Sequence, residues 1–267
     1  MSELQVSIVT FNNARTIDDC LRSVIHECAG LQADIDVVDN GSTDDGLSRV
    51  RSGFPGVRVR VSERNLGFGA AHNRVLEGAT AERVLLLNPD AVLFPGALAR
   101  MRQTLDADED LALVGPRLEA PQGATELSFG AFPGMLADLR QRRRVRALAR
   151  GDRQACQRLE ADLATPFRPD WISGACMLGR TRPLRQVGLF DERFFMYLED
   201  VDLCRRLRSA GFAVAVEPRA RCRHEPGGSQ IDRMATERNF RTSRLAYEEK
   251  HGTKLGAFLY RRFKRLD

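Results

Sequence analysis

The chain has 267 residues, of which 43% are hydrophobic and 29% are charged, and its formal net charge is +5 at pH 7. This composition supports a large buried core and excludes an intrinsically disordered protein. No apolar run approaches the roughly 18 residues that a membrane span requires, and no secretory signal precedes the first strand pattern, so we expect a cytoplasmic protein.

Strand and helix patterns alternate through the first third of the chain. Strand patterns occupy residues 5–11, 34–39, 57–61 and 83–88, and helix patterns lie near 15–28 and 68–78, with a short helix after the second strand. Strands that alternate with helices usually form a parallel sheet covered on both faces. The sequence therefore predicts an α/β domain with a mostly parallel sheet.

Polar residues follow all four of these strands. The strand exits read "TFNN", "DNGSTDDG", "ERNLGFGAAHN" and "NPD". Turns and helix caps are one explanation, because Asn, Asp and Gly favour both. However, ligands of parallel α/β sheets bind beyond the carboxyl ends of the strands. Four polar exits on one sheet edge therefore favour a nucleotide-binding site.

Two other nucleotide-binding classes fit poorly. The stretch "GFGAAHN" follows the third strand instead of the first, and His72 stands where a dinucleotide fingerprint has its third Gly or Ala. The chain also contains no GxxxxGK[ST] motif. Neither a Rossmann dehydrogenase nor a Walker-type NTPase is supported.

The stretch "FFMYLEDVDLCRRLRSAGF" at 194–212 places acidic residues directly behind an apolar run. One interpretation is a helix whose charges match its macrodipole, with Gly211 as its cap and Asp202 paired on the helix surface with Arg205 or Arg206. The other interpretation is a catalytic carboxylate. The helix period alone does not distinguish the two.

The cysteines show neither a metal knuckle nor a redox motif. They form no CxxC pair and have no histidine at zinc-like spacing. Their positions are Cys20, Cys28, Cys156, Cys176, Cys204 and Cys222. We expect most of them to be small buried hydrophobic residues.

Seven segments share the order and spacing of one enzyme family. They are "VSIVTFNN", "VVDNGSTDDG", "RNLGFGAAHN", "LLLNPDAVL", "WISGACMLGR", "FDERFFMYLEDVDLCRRL" and "RHEPGGS", and they span about residues 5–229. Together they resemble the family 2 glycosyltransferases. The resemblance implies the GT-A fold, in which helices flank a mostly parallel sheet and a C-terminal part binds the acceptor. It also implies sugar transfer with inversion.

The resemblance assigns the strand exits to a nucleotide-sugar donor. Thr10, Asn12 and Asp39 are similar to contacts with the nucleoside, where a carboxylate can accept a hydrogen bond from the N3–H of uracil or thymine. Arg64 and Asn65 lie where related enzymes hold the base or the ribose. A cap within the loop is the alternative role for these two residues.

The "NPD" segment corresponds to the DxD metal motif of the family. A diphosphate is bridged by Mg2+ or Mn2+, which take oxygen ligands, and Asp90 is the expected protein ligand. Asn88 replaces the first carboxylate, so it either ligates weakly, acts through water or caps the next helix beside the donor. His224 corresponds to a late imidazole at the metal or diphosphate, and a structural role is its alternative.

The resemblance places acceptor binding and catalysis in the second half of the chain. Trp171, Ser173 and Gly174 are expected to lie beneath the acceptor sugar, with core packing as the alternative role of Trp171. Asp200 corresponds to the second acid of the "ED" motif and to the general base, while Glu199 orients the acceptor or supports the base. A helix N-terminus lowers the pKa of Asp200 and burial raises it. The sequence does not determine which effect is larger.

The expected reaction is transfer of a hexose, with L-rhamnose from dTDP-L-rhamnose favoured, to a glycan or a polyprenyl-diphosphate-linked acceptor. The favoured branch resembles bacterial rhamnosyltransferases of polysaccharide or cell-wall synthesis. An inactive nucleotide-sugar or glycan binding module and a transferase for another hexose are the alternatives. The oligomeric state stays open, with a homodimer as one option.

The expected organisation has a nucleotide-sugar half at 1–110, an acceptor and catalytic half at 111–229, and a basic helical segment at 230–267. An Arg-rich helical insertion at about 131–170 is expected to meet an anionic carrier or the inner face of the plasma membrane. The dense basic runs at 140–150 and 260–265 have a solvated surface as the simpler explanation. Nucleic acid is not an expected partner, because no recognised binding motif accompanies these runs.

Overall fold

A computed structural model describes residues 2–225, 233–252 and 260 of the chain. The described strands are β1 (Leu4–Thr10), β2 (Ala33–Asp39), β3 (Arg58–Val61), β4 (Arg83–Leu87), β5 (Ala91–Leu93), β6 (Leu111–Glu119), β7 (Phe129–Gly130), β8 (Trp171–Ile172), β9 (Cys176–Arg180) and β10 (Ala213–His224). The described helices are α1 (Ile17–Glu27), α2 (Gly46–Gly53), α3 (Phe68–Leu76), α4 (Ala97–Asp106), α5 (Met135–Ala149), α6 (Arg153–Asp162), α7 (Thr181–Gln186), α8 (Glu199–Ser209) and α9 (Arg233–His251).

The main sheet has eight strands in the order β3-β2-β1-β4-β9-β6-β10-β5. The first four strands of this order run parallel, as do β6 and β10, whereas β9 and β5 pair antiparallel with their neighbours. A small second sheet pairs β7 with β8. The predicted α/β fold with a mostly parallel sheet and flanking helices is confirmed, as are the elements predicted in the first third of the chain.

Helices cover both faces of the sheet, and side chains of one strand alternate between two cores. Leu85 and Leu87 of β4 join the core that includes α1 and α4, while Val84 and Leu86 join the core that includes α8. All seven residues of β1 are buried. A strand buried on both faces reads as a nearly continuous apolar run, as Val84–Leu87 of β4 does, whereas the buried strand β1 also contains Gln5 and Ser7.

Five of the six cysteines are buried, as expected, and Cys156 is exposed. All six have free thiols.

Helix α9 is fixed against α8 by a buried charge cluster around Asp202. The Asp202 carboxylate accepts hydrogen bonds from Arg206 Nε at 2.8 Å and His251 Nε2 at 2.6 Å, and it lies 2.7 Å from Lys250 Nζ. The predicted pairing of Asp202 with Arg206 is confirmed. Its predicted location on the helix surface is wrong, because α9 covers it and leaves the Asp202 side chain fully buried.

Two of the predicted segments lie partly outside the core. The segment 131–170 contains α5, which has no buried residue, and α6. In the C-terminal segment, Tyr247 of α9 is buried, whereas the basic run at 260–265 lies outside the described residues except for Tyr260. Among the described residues, no helix has the length and apolar character needed to cross a bilayer.

The main sheet continues across the boundary predicted at residue 110. Strands β1 to β4 precede this boundary, and β6, β9 and β10 follow it within the same sheet. The two halves therefore share hydrogen bonds and a core. Their division into donor and acceptor parts stays a prediction about function.

We expect Asp202→Asn to lower the free energy of unfolding by about 3 kcal/mol, because it removes a fully buried carboxylate from the partly buried Arg206 and weakens its contacts with Lys250 and His251. Chemical denaturation measures this loss. Asp19→Asn is the matched control, since Asp19 pairs with Arg22 at 3.8 Å on an exposed surface, where ion pairs contribute little. Equal stability of the two variants would contradict the role of the cluster.

Candidate active site

The exits of β1 and β2 are joined by the side chain of Asn12. Its Oδ1 accepts a hydrogen bond from the Thr43 backbone N–H at 2.8 Å, and the Asn12 backbone N–H donates to Ser42 Oγ at 3.0 Å. Asn12 adopts a left-handed backbone with φ of 56°, which Asn tolerates better than most residues. Asn12 thus holds two predicted donor loops together.

Asn40 joins the exits of β2 and β3. Its Nδ2 donates to Asn65 Oδ1 at 2.9 Å, and its Oδ1 accepts from the Leu66 N–H at 2.9 Å. Asn65 Oδ1 also accepts from the Gly67 N–H at 2.9 Å. The side-chain oxygen of Asn65 therefore accepts two hydrogen bonds within the loop. This matches the alternative role predicted for Asn65, a cap within the loop. Asn40 was missed as a site residue, although its place in "DNGSTDDG" signals a strand exit.

The remaining predicted donor residues differ in exposure. Thr10 and Asp39 are each 2% exposed at the ends of β1 and β2, and Asp39 Oδ1 accepts from the Ser42 N–H at 3.3 Å. Arg64 is exposed in the loop after β3. All three lie along the edge formed by the strand exits, and their contacts with a nucleoside stay predictions.

The loop before α3 contacts the segment before α8. The Phe68 N–H donates to the Phe195 carbonyl at 2.9 Å. Gly67 has φ of 88° and ψ of 178°, and a Cβ at this position would overlap the Phe195 carbonyl oxygen. Further along α3, Asn73 Nδ2 donates to the Phe190 carbonyl at 3.0 Å. These contacts tie the predicted donor loop to the predicted catalytic segment.

The "NPD" turn after β4 meets the end of β10. Asn88 Nδ2 lies 3.3 Å from His224 Nε2, and Asp90 Oδ1 lies 3.5 Å from the same nitrogen. On the other side of the ring, His224 Nδ1 lies 3.0 Å from Glu126 Oε2. Glu126 was missed because it precedes His224 by 98 residues and has no local motif.

The Asp90 and His224 pair fits a divalent cation. Asp90 Oδ1 is buried and forms no hydrogen bond of normal geometry, and His224 Nε2 lies 3.5 Å away. Burial lowers the pKa of His224, but the nearby carboxylates of Asp90 and Glu126 outweigh it and raise the pKa to about 10. The carboxylates therefore favour a positive charge here. The described residues contain no cluster of three or more His, Cys, Asp or Glu suited to a metal, so oxygens from a ligand or water would have to complete the shell.

Residues 173–175 connect the "NPD" turn to α8. The Gly174 N–H donates to Asp200 Oδ2 at 2.9 Å, and the Ala175 carbonyl accepts from the Asn88 N–H at 2.9 Å. A Cβ at Gly174 would lie 2.9 Å from the Phe68 ring and 3.6 Å from Asp200 Cβ. Gly174 thus allows a close approach of α8 and α3, in addition to its predicted place beneath the acceptor sugar. The "NPD" turn and Asp200 are therefore connected through adjacent backbone positions.

Glu199 and Asp200 begin α8 with different surroundings. Asp200 is partly buried, and its Oδ1 accepts from the Val201 N–H at 2.8 Å. Burial raises the pKa of Asp200 and backbone hydrogen bonds lower it, with a net increase. Burial and the adjacent Asp200 charge raise the pKa of Glu199 well above its usual range, and its buried Oε2 has no hydrogen-bond partner. Burial thus has the larger effect on the pKa of Asp200, which the sequence alone did not determine.

The backbone before α8 is strained. Tyr197 and Leu198 have φ of 72° and 65°, a left-handed region that bulky residues rarely adopt. Ser243 Oγ of α9 donates to the Met196 carbonyl at 2.7 Å and stabilises this segment from behind. Such outliers concentrate at functional sites.

Trp171 and Ser173 complete the predicted acceptor surface. Trp171 Nε1 donates to the Ala131 carbonyl at 2.9 Å, and its ring packs beside Gly130. The Ser173 N–H donates to the Ser128 carbonyl at 2.7 Å. Both residues are partly exposed next to Gly174, and their contacts with an acceptor stay predictions.

The family model described as "Glycosyltransferase like family 2" matches residues 2–244. The chain belongs to this family. The family recognised from the sequence is thereby confirmed, and its members transfer sugars.

Known relatives and solved structures agree with this family. The chain is 31% identical over 205 residues to the N-acetylglucosaminyl-diphospho-decaprenol L-rhamnosyltransferase of Mycobacterium tuberculosis, covering 72% of this chain and 66% of that relative. The chain therefore spans just under two thirds of that relative's length.

Two solved structures share the fold. GalNAc-T7 with UDP, GalNAc and Mn2+ has a TM-score of 0.66 at 15% identity, covering 93% of this chain and 48% of that chain. The mannosyltransferase PcManGT of Pyrobaculum calidifontis with GDP-Man and Mn2+ has a TM-score of 0.61 at 18% identity, covering 93% and 64%. At these identities the likeness concerns the fold.

We expect Gly67→Ala to lower the free energy of unfolding by at least about 2 kcal/mol, because its backbone conformation is nearly restricted to glycine and its Cβ would overlap Phe195. Gly56→Ala is the matched control, since a Cβ there meets nothing within 4 Å. Urea denaturation compares the two variants. Similar stabilities would show that the contact between the donor loop and the segment before α8 is dispensable.

Proposed function

We propose that this protein is an inverting glycosyltransferase that uses a nucleotide-sugar donor and has Asp200 as its general base. The observation that carries the proposal is the position of Asp200. Its Oδ2 accepts a hydrogen bond from the Gly174 N–H, and the next residue, Ala175, accepts one from the Asn88 N–H. A basic carboxylate and the turn expected to hold the diphosphate are thus joined through adjacent residues. Inverting transfer needs this pairing of a base with a leaving-group site.

In the proposed reaction, an acceptor hydroxyl oxygen forms a bond to the anomeric carbon of the donor. The bond between that carbon and the diphosphate oxygen breaks, and the nucleoside diphosphate leaves with the electron pair. Asp200 takes the hydroxyl proton. Its raised pKa supports this role, because a base acts best when its pKa lies nearer the working pH.

Glu199 supports Asp200 without competing with it. The pKa of Glu199 is raised further, partly by the charge of Asp200, so Asp200 is the member of the pair that ionises first. Two neighbouring carboxyl groups with separated pKa values take different roles. We assign Glu199 a neutral supporting role.

The donor diphosphate is assigned to the "NPD" turn, where Asp90 and, once the cation has displaced its proton, His224 would hold Mg2+ or Mn2+. The buried Asp90 oxygen and the nearby His224 Nε2 support this assignment. A bound divalent cation would neutralise charge on the departing diphosphate. Thr10, Asn12, Asp39, Arg64 and Asn65 are assigned to the nucleoside side, with Asn88 between this side and the metal.

We propose L-rhamnose from dTDP-L-rhamnose as the sugar and a glycan on a polyprenyl diphosphate as the acceptor. The rhamnosyltransferase relative from M. tuberculosis, named for a decaprenol-linked substrate, supports both. Trp171, Ser173 and Gly174 are assigned to the acceptor. A lipid-linked acceptor implies a cytoplasmic enzyme in peripheral contact with the anionic inner face of the plasma membrane.

Asp200→Asn is expected to lower turnover by at least about 10²-fold while donor affinity stays nearly unchanged. Glu199→Gln is the matched control, because Gln imitates a neutral carboxyl group, and it should keep turnover within about tenfold. Steady-state kinetics and donor titration measure both. If Glu199→Gln abolished turnover and Asp200→Asn did not, the assignment of the base would be reversed.

The pH dependence follows from the raised pKa of Asp200. The base must be ionised, so kcat/KM should fall as the pH drops through that pKa, and this limb should lie above the usual aspartate value of about 4. Glu199→Gln should retain the acidic limb. A rate that is independent of pH across this region would exclude Asp200 as the base.

Donor identity and metal dependence can be measured by thermal unfolding. Among dTDP, UDP and GDP sugars, dTDP-L-rhamnose with Mg2+ or Mn2+ should raise Tm most, since ligand at 100 times its Kd stabilises by about 2.7 kcal/mol. Chelation of the metal, or Asp90→Asn, should remove most of this increase. A larger increase with another sugar would reassign the donor, and an increase that survives both changes would exclude the metal site.

A further inference from the structure

Helix α5 exposes apolar side chains at its N-terminal end. Met135 is 76% exposed, Leu136 is 68% exposed and Leu139 is 49% exposed. These residues lie within the first five positions of a helix that buries none of its side chains. Large apolar side chains grouped on one exposed face are typical of surfaces that bind a partner.

Unpaired arginines continue the same face toward the C-terminal end of α5. Residues three and four positions apart share a face of a helix. By this spacing Arg142 and Arg143 lie on the face of Leu139, and Arg146 continues that face. In α5 and at its C-terminal cap, the exposed arginines without an ion pair to any described carboxylate are Arg140, Arg142, Arg143, Arg146 and Arg150. The face is therefore apolar at one end and cationic along the rest.

Two ion pairs fix α5 to the rest of the protein and set its orientation. Asp138 pairs with Arg244 of α9 at 2.8 Å. Arg144 pairs with Asp162 of α6 at 2.7 Å, and its guanidinium lies over the Phe129 ring. These contacts define the orientation of the helix, so the apolar and cationic side chains have nothing to cover them among the described residues.

We propose that this face of α5 binds the surface of an anionic phospholipid bilayer. Met135, Leu136 and Leu139 would enter the boundary between headgroups and acyl chains, and the arginines would bind lipid phosphates, as in other interfacial amphipathic helices. Charge argues against a second copy of the chain as the occupant, because two such faces would bring unpaired arginines together. A bilayer complements both the charge and the apolar end.

The position of α5 connects this surface to the acceptor side of the site. Helix α5 follows β7, whose partner β8 leads directly to Gly174, the residue that holds Asp200. A bilayer on α5 would therefore lie beside the surface assigned to the acceptor. The connection between this surface and acceptor binding rests on the proposed function. Binding of vesicles by α5 does not require catalysis and is measured separately.

Vesicle flotation with the full chain tests the proposal. Vesicles that contain phosphatidylglycerol should bind the wild type, and vesicles of phosphatidylcholine alone should bind it far less. The triple variant Arg142→Gln, Arg143→Gln and Arg146→Gln should lower the partition coefficient by about 10²-fold, since each arginine contributes about fivefold near an anionic surface. Matched removal of charge at Arg51, Arg100 and Arg182, which are exposed on other elements and pair with no carboxylate of the described part of the chain, should change it less than about threefold.

The apolar end has its own test. Met135→Ser, Leu136→Ser and Leu139→Ser together should remove the binding that persists at about 1 M salt, where the Debye length is only about 3 Å. Thermal unfolding of each variant should match the wild type, because all substituted side chains are exposed. If a multiple variant loses stability, vesicle binding is compared with the single variants Leu136→Ser and Arg143→Gln instead.

Several results would overturn the proposal. Equal losses for the α5 and control arginine variants would indicate attraction by net charge alone. Binding only when the vesicles carry a polyprenyl diphosphate would assign the face to the acceptor, and self-association lost in the serine variant without vesicle binding would assign it to a second copy. Transfer to a water-soluble acceptor without vesicles should be unchanged in all these variants, which separates failure here from failure of the proposed reaction.

Discussion

The arrangement of the site depends on the backbone of residues 173–175. Its Gly174 N–H binds the Asp200 carboxylate and its Ala175 carbonyl binds the Asn88 N–H, both at 2.9 Å. Because this segment continues into β9, which pairs with β4 along Leu85 to Leu87, both contacts are built on the rigid centre of the sheet. The carboxylate proposed as the base and the turn proposed for the diphosphate thus have a fixed relation that no flexible loop has to maintain.

The three acids at the start of α8 show how local surroundings give identical chemical groups different roles. Asp202 faces α9, where it contacts the cations Arg206 and Lys250 and the imidazole of His251. Glu199 is buried with an oxygen that has no partner, which favours its neutral form. Asp200 lies between these extremes, because two backbone N–H groups stabilise its charge while burial opposes it. Position on the helix thus leaves Asp200 as the carboxylate suited to exchange a proton.

The sequence predicted those features that depend on local patterns. The alternation of strands and helices, the polar strand exits and the i+4 pairing of Asp202 with Arg206 all follow from short-range spacing. Features that depend on distant contacts were missed. Glu126 binds His224 across 98 residues, and Asp202 was assigned to the surface because nothing near it in the sequence indicates that α9 covers it. Asn40 shows a further limit, because a strand exit contains several polar residues and only the backbone path determines which of them binds the neighbouring loop.

The strained residues Tyr197 and Leu198 connect the donor side to the acceptor side. Left-handed backbone at a bulky residue costs on the order of 1 kcal/mol or more, so neighbouring contacts must hold it. One such contact comes from the donor loop, where Phe68 binds the Phe195 carbonyl, and another comes from α9, where Ser243 binds the Met196 carbonyl. The direction in which α8 starts, and with it the position of Asp200, is therefore determined from both sides. Since α9 also pairs with α5 through Arg244 and Asp138, α5 and the segment before α8 are both held by contacts with α9.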